Sequence, residues 1–217
     1  MAKIAIIDDN PDQCGTVKAN IELALAEMES TIEVIATLPF KNINDYFPFV
    51  TENDVCVLIL DEKLNDQAVD ADGPVEYKGS ELVSALRVQL KDMPIFALTV
   101  IPDENNLLQK FSEYEQIISR DEFYQHAEKF VPIFVRAAKS YLKDNESDLS
   151  KFNDLTKNIA GGLDDEASIQ KLQALQVKME LPFSGFADRS AWLDAYEQQI
   201  SSLEEINQLL KDKLAGK

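Results

Sequence analysis

Val55 to Leu60 is a run of six residues without a charged side chain, and it ends on Asp61. A run this short is strand-sized, and a strand can be apolar throughout when both of its faces are covered. Lys3–Ile7, which ends on Asp8-Asp9, and residues 94–98, which end on Thr99, repeat the design. Residues 32–36 and Gln116–Ser119 complete five predicted strands. Between them lie helical stretches. Residues 12–28 place Val17, Ile21, Leu25 and Met28 at spacings of 4, 4 and 3, and 80–90 place Leu82, Val83, Leu86 and Leu90 on one face. Residues 42–50 are interrupted by Pro48, 103–111 form a further helix, and in 122–142 Pro132 predicts a kink or a restart. Strands alternating with helices predict an α/β fold, a doubly wound five-stranded parallel sheet.

After Tyr141 the pattern changes. Lys143-Asp144-Asn145-Glu146-Ser147-Asp148 is polar, and beyond it only helical periodicity recurs, which predicts a boundary at 143/144 and a small all-α unit over 144–217. Its three predicted helices span 149–159, 164–179 and 188–214, parted by Gly161-Gly162 and by Leu181-Pro182-Phe183-Ser184-Gly185. Trp192, Tyr196, Ile200, Leu203, Ile206, Leu210 and Leu214 form one apolar seam, which packs either within this chain or against a second copy or a partner protein.

Charge and composition exclude several functions. With 39 acidic against 21 basic residues the net charge is −18, which repels nucleic-acid backbones and anionic membranes, and no basic recognition helix is present. None of the apolar runs approaches the roughly 20 residues that span a bilayer, and the apolar run at the amino terminus is too short for a signal peptide. Cys14 and Cys56 fall in a helix and a buried strand and are read as free thiols, so a soluble, cytoplasmic protein is expected. The seven glycines form neither GxGxxG nor a Walker A loop. His126, the single histidine, has no Cys or Ser partners for a zinc site or a triad and is read as structural or solvated.

Ligands of open parallel sheets bind outside the carboxyl ends of the strands. There the sequence places Asp8 and Asp9, then Asp61, then Thr99, then Arg120. Carboxylates brought together repel one another, and a hard divalent cation such as Mg2+ is the usual resolution. Such a cation would neutralise a phosphate and leave a carboxylate oxygen to attack in line.

Lys3-Ile4-Ala5-Ile6-Ile7-Asp8-Asp9-Asn10 and Val57-Leu58-Ile59-Leu60-Asp61 resemble the response-regulator receiver family, whose fold is flavodoxin-like. Gly79 with Ser80-Glu81-Leu82-Val83 and Arg87 resembles that family's third helix, and Ala97-Leu98-Thr99 its fourth strand, so the resemblance spans about residues 1–142. It implies Asp61 as phosphoacceptor, Asp8 and Asp9 with Asp61 in a Mg2+ site, the Lys63 main-chain carbonyl as a further metal ligand, and Thr99 as the switch hydroxyl. The implied phosphoryl source is a histidine kinase, a phosphotransfer protein or a small phosphodonor, with a downstream protein partner and no enzymatic turnover of a substrate. Two departures stand out. Arg120 occupies the family's lysine position and keeps its charge but not its geometry, leaving open whether it grips a phosphate or points elsewhere. The connection from Asp61 to Gly79 is longer than usual and carries Asp66, Asp70, Asp72 and Glu76, which suit a lid, a partner-selecting surface or a second cation site. The rival readings are a scaffold that is never phosphorylated and a magnesium-dependent phosphohydrolase, for which Asp61-Glu62-Lys63 lacks the usual second acid two residues on.

Overall fold

The computed structural model describes residues 2–160 together with 167, 168, 170–172, 174 and 175. Strands β1 (Lys3–Ile7), β2 (Glu33–Thr37), β3 (Val55–Leu60), β4 (Ile95–Thr99) and β5 (Gln116–Ser119) pair in parallel, in the order β2-β1-β3-β4-β5. Each lies within one residue of its predicted place. Side chains alternate across the sheet, as the pleat requires. Ile4, Ile6, Val57, Ile59, Phe96 and Leu98 face one core, and Ala5, Ile7, Leu58, Leu60, Ile95 and Ala97 face the other. Fully burying a valine, leucine, isoleucine or phenylalanine is worth roughly 1.5–3 kcal/mol, so this two-sided core is what holds the strand ends in register.

Helices α1 (Pro11–Glu27) and α6 (Ala127–Ala160) cover the first face. α1 starts at once after the Asp8-Asp9 turn: the Asn10 side chain accepts the N–H groups of Asp12 and Gln13 at 3.0 and 3.2 Å, and Pro11 takes the first helical position, where no N–H is needed. The second face is covered by α2 (Tyr46–Glu52), entered through a 3-10 turn at Ile43–Asp45, and by α3 (Gly79–Arg87). Pro48 does not interrupt α2. It lies in the first turn, whose N–H groups have no intrahelical acceptor. α4 (Asn105–Gln109) is shorter than expected and passes into a 3-10 turn at Phe111–Glu113. The half-buried Arg87 guanidinium closes the end of α3 by donating to the carbonyls of Glu113, Leu90, Lys91 and Met93.

Two expectations fail after β5. The single helix read over 122–142 is two, α5 (Arg120–Gln125) and α6, and the break falls at His126 rather than at Pro132. Pro132 removes only the bond to the Glu128 carbonyl, and the flanking Phe130, Val131, Phe134, Val135 and Ala138 are buried on the sheet, so packing carries the helix through it. The polar stretch 143–148 is helix as well, so α6 runs unbroken across the expected boundary and takes in the helix predicted over 149–159. Beyond 160, the described residues are helical. The seam from Trp192 to Leu214 lies outside the described residues. Among those described, no helix is long and apolar enough to cross a membrane, and Cys14 and Cys56 are buried free thiols.

Gly79 is where α3 touches the chain that leaves the carboxyl end of β3. A Cβ there would stand 2.2 Å from the Asp61 carbonyl oxygen and 3.0 Å from the Glu62 Cα, both backbone atoms that cannot swing aside. Gly79→Ala is expected to cost about 1–3 kcal/mol of overpacking. Chemical denaturation of the two proteins side by side checks this, and an unchanged midpoint would show that α3 shifts freely.

Candidate functional site

The strand order reverses between β1 and β3, and the crevice at such a switch point opens at the carboxyl ends of the strands. Asp8 and Asp9 follow β1, Asp61 follows β3, Thr99 ends β4 and Arg120 follows β5, so residues far apart in the chain stand on four adjacent strand ends. Oxygens of Asp8, Asp9 and Asp61 lie within 4.8 Å of one another. All five residues are buried, Thr99 completely.

Each acid is held by a donor from the chain. Arg120 Nη2 is 2.5 Å from Asp8 Oδ2 and 3.2 Å from Asp61 Oδ2, and it also reaches the Leu98 carbonyl at 3.4 Å. The arginine therefore points into the site. Main-chain N–H groups take the other oxygens: Asn10 donates to Asp8 Oδ1 at 2.9 Å, Glu62 to Asp61 Oδ1 at 2.8 Å, and Gln67 to Asp9 Oδ2 at 2.5 Å. The Thr99 hydroxyl accepts the Ile101 N–H at 3.4 Å. Lys63 directs its ammonium to Asp66, 3.5 Å away. His126 stands apart from the cluster, half-exposed and 3.4 Å from Glu128.

One guanidinium against three buried carboxylates leaves negative charge in excess. Burial pushes the Asp8 carboxyl up to about 6 against the opposing pull of Arg120, and burial raises Asp9 as well, against the main-chain N–H groups of Gln67 and Asp66. A divalent cation would relieve that excess, and an all-oxygen donor set suits magnesium. A second mark of an anion guest is Arg120 Nε, which is buried without a partner. An unmet donor of this kind costs about 1–3 kcal/mol, and a phosphoryl oxygen would satisfy it. The residues fit the pair of groups expected here, a magnesium ion and a phosphoryl group.

Sequence reasoning missed Glu62. Fully buried beside Asp61, it accepts from the Ser80 N–H and the Ser80 hydroxyl, both at 2.7 Å, and its carbonyl accepts the Gly79 N–H at 2.9 Å. Burial raises its carboxyl while the two Ser80 bonds pull it down. A carboxylate on the first turn of a helix is well placed for the helix dipole, so Glu62 fastens α3 to the end of β3. The Gln67 contact was missed too, since a main-chain donor leaves no mark in the side-chain pattern.

The Asp8 shift gives a pH dependence whose sign is fixed. The folded state holds this proton up to about 6 whereas the free carboxyl releases it near 3.8, so in metal-free protein this group's contribution to stability is present below 3.8 and is lost as pH rises towards 6. Asp8→Asn removes the loss. It is expected to gain about 1–3 kcal/mol at pH 7 in the presence of a chelator, with a flatter profile between about pH 4 and 6. Urea denaturation across that range decides, and a destabilised Asp8→Asn at pH 7 would mean that its pairing with Arg120 outweighs the desolvation.

No protein-family model matches the sequence, and no curated protein matches it. Among solved structures the chain is similar to the receiver domain of the Francisella response regulator 1452, at 15% identity and a TM-score of 0.45, over 64% of this chain and 97% of that one. It is also similar to a DNA-binding response regulator of the LuxR family from Staphylococcus aureus, at 14% identity and 0.46 over 64% and 99%. A third is the response regulator protein TrrA from Thermotoga maritima in complex with Mg2+-BeF, at 18% and 0.38 over 59% and 98%. Such distant likenesses concern the path of the chain. Its own strand order, β2-β1-β3-β4-β5 with all strands parallel and helices on both faces, gives the first two thirds of this chain the flavodoxin-like doubly wound fold.

Proposed function

We propose that this chain is a response-regulator-like signalling protein in which Asp61 accepts a phosphoryl group in a magnesium-dependent reaction. The observation that carries this reading is the convergence of Asp8, Asp9 and Asp61 within 4.8 Å, buried beside a cation at the switch point of the sheet. Asp8, Asp9 and Asp61, with the Lys63 carbonyl, would hold the magnesium ion. When bound, the ion supplies positive charge for the phosphoryl oxygens. Asp61 Oδ2 attacks phosphorus, the bond from phosphorus to the donor's leaving atom breaks, and the electron pair departs with that atom, an oxygen leaving as acetate when the donor is acetyl phosphate and a ring nitrogen leaving as imidazole when it is a phosphohistidine. Arg120 then exchanges its contact with the Asp61 carboxylate for one with the phosphoryl oxygens, meeting its unpaired Nε–H. The Thr99 hydroxyl gives up its Ile101 contact to reach the same group.

The phosphoryl source on this reading is a histidine kinase, a phosphotransfer protein or a small phosphodonor. The output is a change of protein contacts, made through the residues beyond 143, which we treat as a separate unit capable of pairing with a second copy or a partner. Phosphorylation can shift such a surface only as far as it binds the two states differently.

A second reading, a scaffold that is never phosphorylated, is favoured by one observation: Arg120 already pairs with two of the acids. Intact-mass measurement after incubation with acetyl phosphate and Mg2+ separates the two. A phosphoryl adduct that requires Mg2+ and is absent from Asp61→Asn is expected. No adduct from any donor would leave the scaffold.

A further inference from the structure

A carboxylate that accepts phosphoryl groups must meet its donor, yet Asp61 is only 6% exposed and Asp9 only 4%. The long connection between β3 and α3 reaches these acids at Asp9. It does not stand off into solvent: Leu64, Val75 and Tyr77 are buried in the core of the second sheet face, with Val69 packed against them. Its inner edge crosses the acids, where the Gln67 N–H donates to Asp9 Oδ2 at 2.5 Å and the Asp66 N–H also faces Asp9. Its tip is a tight turn, with Gly73 at φ +96° and the Gly73 N–H donating to the Asp70 carbonyl at 3.2 Å.

The outer edge is fastened to the segment between β2 and α2. The Tyr77 hydroxyl donates to the Phe40 carbonyl and lies 3.0 Å from the Tyr46 hydroxyl, in the buried core. Lys41 Nζ donates to the carbonyls of Gly73 and Pro74 at 2.8 and 3.0 Å and pairs with Asp70 at 3.3 Å. At the end of the connection, Lys78 pairs with Glu104 at 2.5 Å, in the segment that follows Thr99. A solvated acidic loop would need none of these ties.

We propose that residues 63–78 form a lid closed over Asp61, latched by the Gln67 N–H on Asp9 and hinged on Tyr77 and Lys41, so that a phosphodonor reaches Asp61 only when the latch opens. This rests on the phosphoacceptor reading of Asp61. The lid also makes the Gln67 main chain a positioning group, since a hydrogen-bonded carboxylate presents its remaining lone pairs in a fixed direction. Its outer surface, with Asp66, Asp70, Asp72 and Glu76, is the part of the site that a macromolecular donor would touch first.

Two measurements on the full chain test the lid. In hydrogen–deuterium exchange, amides of 64–78 are expected to be protected in the wild type. Asp9→Ala should speed exchange around Gln67 by about tenfold, the factor that one net hydrogen bond confers, with strand peptides unchanged. Tyr77→Phe should loosen the whole of 64–78. In the second measurement, the rate at which acetyl phosphate with Mg2+ forms the adduct should rise several-fold in Tyr77→Phe. Wild-type exchange over 64–78 as fast as in a free peptide, or no change in either variant, overturns the lid. So does an adduct rate that is the same in Tyr77→Phe and wild type despite faster exchange. Exchange that behaves as expected with no adduct in any protein supports the lid and removes the phosphoacceptor reading instead.

Discussion

Three carboxylates share a buried space at the ends of two adjacent strands, and the surrounding structure holds them there. Two like charges about 4 Å apart repel by roughly 4 kcal/mol at an effective dielectric of about 20, so the cluster stands only because other groups offset it. Arg120 does most of this, bridging Asp8 and Asp61 through a single nitrogen. The main-chain N–H groups of Asn10, Glu62 and Gln67 add a donor to each acid in turn. The two cores beneath supply the stiffness, because β1 and β3 are paired in unbroken register from Ile4 and Val57 to Ile7 and Leu60, at the end that carries the acids. An arginine suits this position because its charge is permanent and one of its nitrogens serves two acids while its Nε–H stays buried without a partner.

The end of β3 shows how one strand serves chemistry and architecture at once. Neighbouring residues of an extended chain point to opposite sides. Asp61 faces the acids, and Glu62, one residue on, faces the start of α3 and grips Ser80. Gly79 lets the helix approach until its Cα lies against the Asp61 carbonyl. The helix start and the Asp61 carboxylate are thereby tied through one peptide unit, and a movement of either is felt by the other.

Much of this was legible from the residues alone. The strands were, because runs such as Val55–Leu60 are apolar on both faces and stop at acids. Asp8, Asp9, Asp61, Thr99 and Arg120 were legible as strand-end residues, since the topology of a parallel sheet brings such ends together. The contacts of Glu62 were not, because a buried glutamate reads as a surface one until its partner Ser80 is placed opposite. Helix ends were misjudged where polarity was taken for a break. Residues 143–148 contain neither glycine nor proline, so nothing in them stops a helix, and their polarity says only that the helix is wet. Pro132 misled in the other sense, since tertiary packing of its neighbours outweighs one lost bond.

The continuity of α6 has a mechanical consequence. The helix packs on both cores through Tyr141 and runs on to Ala160, so at about 1.5 Å per residue roughly 30 Å of helix follows that contact. Such a rod carries rotation as well as position. Each residue turns the helix by about 100°, so deleting one residue between 143 and 150 would re-aim everything attached at its far end, whereas deleting seven would nearly restore the original bearing. The stretch that reads in sequence as a loose joint is in the fold a shaft, and its length sets an angular phase.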